Sequence, residues 1–193
     1  FKTIIMKHIL SILALFMSIY TFSQNRFVVS AESPVFPPKE VFIDISNLSA
    51  EDNYELVKDW ISVNFNSDDN LVIDQECNNF ITLVSTVDDL YKDNSHLFKN
   101  DFDVKFELTF RCLDNKICIE INDFKVHFPE ALYSGGWENF SFNYEDLFRN
   151  NGKINIKKKE TLEKLQNHFN KVVYGLENHI VSSNTSIAYT QNK

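Results

Sequence analysis

The most constraining stretch of this chain is residues 104–121, where two runs of strict alternation meet across a two-residue break. Val104, Phe106, Leu108, Phe110 and Cys112 alternate with Lys105, Glu107, Thr109 and Arg111. After Asp114-Asn115, Ile117, Ile119 and Ile121 alternate with Cys118, Glu120 and Asn122. Successive strand side chains point to opposite faces of a sheet, so this period writes one apolar and one polar face. A two-residue turn at Asp114-Asn115 pairs Leu113 with Lys116, Cys112 with Ile117 and Phe110 with Ile119, and every apolar residue then shares a face. Asp and Asn tolerate the left-handed backbone that such a turn requires. A longer turn would place one strand's apolar set outward. The chain is thereby committed to an antiparallel hairpin with one face to be covered.

Two helical stripes supply the cover. Ser49-Ala50-Glu51-Asp52 has the spacing of a capping box, in which Ser49 bonds a free backbone N–H and the acid replies. Tyr54, Val57, Trp60, Ile61 and Phe65 then recur on one face of a helix over 50–65. Trp60 reads as a core anchor ahead of a ligand platform. Leu162, Leu165, Phe169, Val172, Val173, Leu176 and Ile180 mark a second helix starting near Lys158 or Glu160. Gly175 interrupts that stripe, which points to close packing or to an early helix end.

Shorter strands are expected at Val41–Ile45, from Leu71 and over Phe80–Val87, with a polar loop over 88–101. Phe124, Val126 and Phe128 continue the hairpin's second strand on the opposite parity, which calls for a bulge or bend near Asn122-Asp123 or a strand end covered on both sides. Residues 130–152 read as irregular. Their aromatics, among them Trp137, Phe140 and Phe148, are expected to pack on the sheet or else to form an exposed binding surface.

The N-terminus has the layout of an export signal. Lys7-His8 precedes the apolar run Ile9–Phe22, and Thr21 and Ser23 are small enough for a cut before Gln24. Met6 reads as the start of the frame. The expected division is a signal peptide over 6–23, an extended, proline-bearing lead-in over 24–40, a domain over 41–180 and a polar tail over 181–193. The mature form is expected to be secreted or periplasmic, not membrane-inserted, and free of a lipid anchor.

The formal charge is −8. Phosphate backbones are bound by Lys and Arg, so nucleic acid is not an expected partner. Only 153–164 is locally basic, as a solvated helix start or an anion patch. Cys77, Cys112 and Cys118 form no disulfide framework. In the hairpin register Cys112 points into the core and Cys118 to the other face, which leaves Cys77 with Cys118 as the one bridge held open.

Catalytic patterns are missing from the sequence. His96, His127, His168 and His179 show no metal-binding pair spacing, and no Cys-x-x-Cys, G-x-S-x-G, phosphate loop or dinucleotide fingerprint occurs. No catalytic residue, cofactor or metal is assigned. The surface singled out instead is the polar hairpin face with the aromatic loop: Lys105, Glu107, Arg111, Lys116, Glu120 and Trp137. An envelope protein, a peptide or a glycan is the kind of partner such a face suits. A hydrolase with scattered acids and histidines is the alternative.

Two segments resemble a known family. Leu48–Ile61 carries an acid-rich helix start leading into Asp59-Trp60-Ile61. Asp114–Phe124 carries a turn, a basic residue at Lys116, an alternating strand and the end Asn122-Asp123-Phe124. Both resemble the domain of unknown function 4468 family, found in exported proteins of the Bacteroidetes, over roughly residues 41–180. Asn115 stands where the family has Gly, and Phe80-Ile81 lacks the Gly often found there. The resemblance implies an α+β, TBP-like fold: a curved antiparallel β-sheet with two helices packed on one face. It implies no activity, because fold alone does not carry function.

Overall fold

The computed structural model describes residues 26–28, 40–93, 100–129, 135–141, 144–149, 151 and 153–190. The expected signal peptide and most of the lead-in lie outside them. The elements are β1 (Glu40–Asp44), α1 (Ala50–Asn64), β2 (Asn70–Glu76), β3 (Phe80–Asp93), β4 (Asn100–Leu113), β5 (Lys116–Phe128), β6 (Gly136–Asn139), α2 (Tyr144–Leu147) and α3 (Ile156–Thr190). The strands form one antiparallel curved sheet in the order β1-β5-β4-β3-β2, and β6 continues the β1 edge along the far end of β5. Among the described residues no helix is long and apolar enough to cross a membrane.

The β4–β5 hairpin has the register that its alternation demands. Leu113 pairs with Lys116, Cys112 with Ile117 and Phe110 with Ile119. Asn115 takes the left-handed conformation at φ 63°. The parity switch farther along β5 is a bulge. Lys105 opposes Lys125 while Glu107 opposes Asn122, so Phe106 faces both Asp123 and Phe124, and Asp123 sits at φ 46°. The extra residue returns Phe124, Val126 and Phe128 to the buried face.

The same turn seats α1. Ala50 donates its N–H to Asp114 Oδ1 (2.9 Å), and Asn115 donates its N–H to the Leu48 carbonyl (2.9 Å). Buried Asn53 donates through Nδ2 to the Leu113 carbonyl (2.7 Å). The capping box of Ser49 and Asp52 forms in both directions. These bonds satisfy orphan donors at the helix start and fix α1 over β4, where Trp60 meets Phe110 with ring centroids 5.9 Å apart.

α3 packs beside α1 on the same sheet face. Phe169 is fully buried and meets Phe106 at 4.8 Å. Gly175 lies within the helix, and a Cβ there would stand 3.2 Å from Trp60 Cζ2, so the gap in the stripe marks close helix packing. The helix runs to Thr190, beyond Ile180 where the apolar stripe ends, because each added residue of an anchored helix gains a backbone bond. Phe27 enters the same core against Phe169 (5.7 Å). Asn170 holds its backbone from both sides, accepting from the Phe27 N–H and donating to its carbonyl.

Three expectations are corrected. Residues 88–93 and 100–101 are not loop but the ends of β3 and β4. A bulge with Asp89 at φ 53° re-aims the strand so that Leu90 and Tyr91 are buried, and Tyr91 pairs with Phe102. Residues 136–139 are a strand and 144–147 a helical turn. Cys118 does point away from the helices, yet it is only 3% exposed, enclosed by the strand-mates on its own face.

The Gly175 contact yields a graded expectation. Gly175→Ala should leave stability nearly unchanged, because a helix-propensity gain of about 1 kcal/mol is offset by the push on Trp60. Gly175→Val should destabilise by about 1–3 kcal/mol through overpacking. Urea midpoints of the two variants check this, and an equal midpoint for Val would remove the close-packing role.

Candidate binding face

Because α1 and α3 share one face of the sheet, the other face carries the polar half of every alternating strand. Across that face run rows fixed by register. Phe42, Cys118, Arg111 and Phe80 make one row, and Glu40, Glu120, Thr109 and Thr82 the next. Asn122, Glu107 and Val84 follow, then Lys125, Lys105 and Thr86. The structure therefore places Lys105, Glu107, Arg111, Lys116 and Glu120 on one continuous surface, with Trp137 at its border.

The six fall into two groups joined by Glu107. At the turn end, Arg111 holds Glu120 through Nε to Oε1 (2.8 Å) and Nη2 to Oε2 (3.0 Å). The Cys118 thiol donates to Glu40 Oε2 at 3.6 Å, and Lys116 Nζ stands 5.4 Å from the centre of the Phe42 ring. In mid-face, Thr82 and Thr109 bond through their hydroxyls at 2.9 Å. At the far end, Trp137 is 40% exposed, tilted on His127 with centroids 5.0 Å apart, and Lys105 Nζ lies 5.8 Å from its ring. Lys125 pairs with Asp123 at 2.6 Å. The other described aromatics of the loop pack inward: Phe140 meets Tyr91 at 4.8 Å, and Phe148 is 5% exposed. The expected packing on the sheet thus holds for Phe140 and Phe148, while Trp137 stands half-exposed at the border of the open face.

Sequence reasoning missed one constellation. Ligand-type atoms of Glu40, Cys118 and Glu120 lie within 4.8 Å of one another. The alternation hinted at Cys118 with Glu120, but Glu40 comes from β1 by a pairing no local pattern shows. The chemistry of the trio is that of a neutral thiol between carboxylates. Burial, then Glu120 and Glu40, push the Cys118 thiol up to about 12. The Arg111 guanidinium already occupies Glu120, so a cation such as zinc would have to displace Arg111 and the thiol proton together.

The cysteines are all free, so Cys77 and Cys118 form no bridge. β4 and β3 lie between the strand of Cys118 and the β2–β3 turn that carries Cys77, and strand spacing of about 4.8 Å puts the two out of disulfide reach. Cys112 is buried as expected and its thiol is pushed up to about 12 by burial.

On the opposite side, a cleft of about 610 Å³ lies between β1 and α3, lined by Phe42, Asp44, Ile45, Tyr174, Glu177 and Val181 among others. Arg26 crosses its wall, bonding both Glu177 oxygens (2.8 and 2.7 Å) beneath a 4.1 Å stack on Tyr174. No histidine lines the cleft among the described residues. His168 instead lies between the layers, 5.7 Å from Phe106, and desolvation followed by nearby Lys171 lowers its pKa to about 4.

Residues 40–127 match the family model described as a domain of unknown function (DUF4468) with TBP-like fold. Among solved structures, a DUF4468 family protein from Bacteroides ovatus ATCC 8483 is similar at 11% identity and a TM-score of 0.55. The match covers 75% of this chain and 84% of that one. A TBP-like protein from Parabacteroides distasonis ATCC 8503 matches at 21% identity and a TM-score of 0.47, over 72% of this chain and 91% of that one. No curated protein matches the chain.

Two measurements probe these environments. An Ellman titration at neutral pH should find one fast thiol, exposed Cys77, with Cys112 and Cys118 reacting only on unfolding; a second fast thiol would show Cys118 to be accessible. His168 has a folded pKa of about 4 against 6.5 unfolded, so the unfolded chain binds the proton first. Stability should therefore fall between pH 6.5 and 4 by up to about 3 kcal/mol from this group. His168→Leu should flatten that part of the pH–stability curve, and an unchanged slope would remove the assignment.

Proposed function

We propose, for a chain whose residues 40–127 match the model of the DUF4468 family, described with a TBP-like fold, that the protein is a non-enzymatic binding module of the cell envelope and uses the open face of its sheet. The observation that carries this reading is the division of the sheet: both long helices cover one side, and the six residues Lys105, Glu107, Arg111, Lys116, Glu120 and Trp137 stand together on the other. Such a surface is built from rigid strands and presents alternating charge, hydroxyls and one half-exposed indole. That combination suits a peptide, a protein surface or a glycan, where an aromatic platform and a spread of polar contacts give recognition.

The charges on this face are mixed, with Arg111 spent on Glu120, and the whole chain carries −8. This supports a partner other than nucleic acid, whose capture needs a basic stripe. The hydrolase alternative requires a histidine, an acid and a nucleophile around one reacting atom. His127 packs tilted against Trp137 and His168 faces Phe106, so neither joins Asp44 in the cleft. The signal-like run Ile9–Phe22 and the small residues at Thr21 and Ser23 support export.

Two experiments test the proposal. Expressed with its native N-terminus, the protein should appear in the envelope fraction with Gln24 as its first residue; a cytoplasmic product starting at Met6 would reject export. The combination Lys105→Glu with Trp137→Ala should reduce capture of partners from an envelope extract by about tenfold while thermal stability holds, since both side chains are surface-placed. Undiminished capture would move the binding site off this face.

A further inference from the structure

We infer that the free edge of β2 accepts an extended, basic segment of another polypeptide as an additional strand, at the edge of the sheet remote from Trp137. β2 ends the sheet order and pairs only with β3 among the described residues. Its outer edge therefore offers unpaired backbone donors and acceptors, the template for strand addition.

The side chains along this edge fit that use. Leu71, Val72 and Ile73 are consecutive, and they are 65%, 43% and 46% exposed. Three adjacent exposed apolar residues on an edge strand are a liability that proteins ordinarily blunt with lysine or proline. Residues 66–79 contain neither, and no arginine. They carry carboxylates instead. Asp68, Asp69, Asp74 and Glu76 are all exposed, and none of the four forms an ion pair among the described residues. The edge thus exposes Leu71 on the open face, Val72 on the helix-covered face and Ile73 at the bulge, in an acidic frame.

The frame selects the occupant. A second copy pairing through the same edge would bring eight like charges to one seam, and like charges at short range oppose association. The register step between Val72 and Asp74 also pushes Ile73 out of the ladder, which limits the length of flat edge that two copies could share. A strand bearing lysine or arginine beside apolar residues meets both features. Its backbone continues the sheet, its apolar side chains cover Leu71–Ile73, and its cations face the four acids.

The probe is a fluorescein-labelled twelve-residue peptide of alternating Lys and Val, titrated by anisotropy against the full chain, with amide hydrogen exchange to locate it. An alternating Glu–Val peptide is the control. The Lys–Val peptide should bind and slow exchange along Asn70–Glu76, while Glu–Val binds about tenfold more weakly or not at all. Leu71→Lys with Ile73→Lys changes only exposed positions and should weaken Lys–Val binding by about tenfold or more. Asp74→Asn with Glu76→Gln keeps the shape, removes two charges and should weaken it several-fold. The Lys105→Glu, Trp137→Ala variant should bind the peptide unchanged, which separates this edge from the Lys105–Trp137 end of the open face. Absence of Lys–Val binding, equal binding of Glu–Val, or protection on β4 and β5 in place of β2 would overturn the inference. So would a dimer protected along β2 without peptide, because the occupant would then be a second copy.

Discussion

The two-residue turn at Asp114-Asn115 is the constraint on which the rest of the structure depends. It performs two tasks with the same few atoms. Its geometry sets the register of β4 against β5, so that Cys112, Phe110 and Leu108 stand opposite Ile117, Ile119 and Ile121. Its polar groups receive the start of α1: Asp114 Oδ1 takes the Ala50 N–H, Leu113 takes the Asn53 amide and Asn115 reaches Leu48. The register decides which face is apolar, and the turn then holds a helix over that face. A slip of one residue would invert the faces and detach the cover together.

From that division the electrostatics follow. On the helix side, burial raises the Cys112 thiol, and burial followed by nearby Lys171 depresses His168, so both stay neutral near neutral pH. On the open side the charges are paired at close range, Arg111 with Glu120 and Lys125 with Asp123, or set over rings, as Lys105 is over Trp137 and Lys116 over Phe42. Cys118 is the exception that links the two. It lies on the polar face, yet its neighbours bury it, and the two flanking carboxylates add to the cost of ionising it.

What the sequence made legible was whatever is written in local period. The hairpin register, the capping box, the α1 stripe, the Trp60 anchor and the bulge after Asn122 all follow from patterns within a dozen or so residues. The missed features are non-local or short. β6 has four residues and exists because β5 offers it an edge. The end of β3 was hidden because its apolar pair Leu90-Tyr91 sits among acids, and only the bulge at Asp89 turns it inward. Phe27 has no periodic neighbours at all; its place is set by Asn170, more than a hundred residues away. The candidate face divides the same way. Lys105, Glu107, Arg111 and Glu120 were readable from alternation, whereas Glu40 joins them only through the pairing of β1 with β5.

The two edges of the sheet show how the remaining exposure is managed. The β1 edge is bordered: β6 continues it along β5, α3 stands beside it across the cleft, and Arg26 ties the lead-in to Glu177. The β2 edge is handled by charge and by a bulge, with apolar side chains left in the open. Acids flanking such a strip discourage like edges from meeting, because repulsion grows with every copy added. They do not discourage a cationic strand. An edge guarded by its sign is therefore closed to itself and open to a partner of opposite sign.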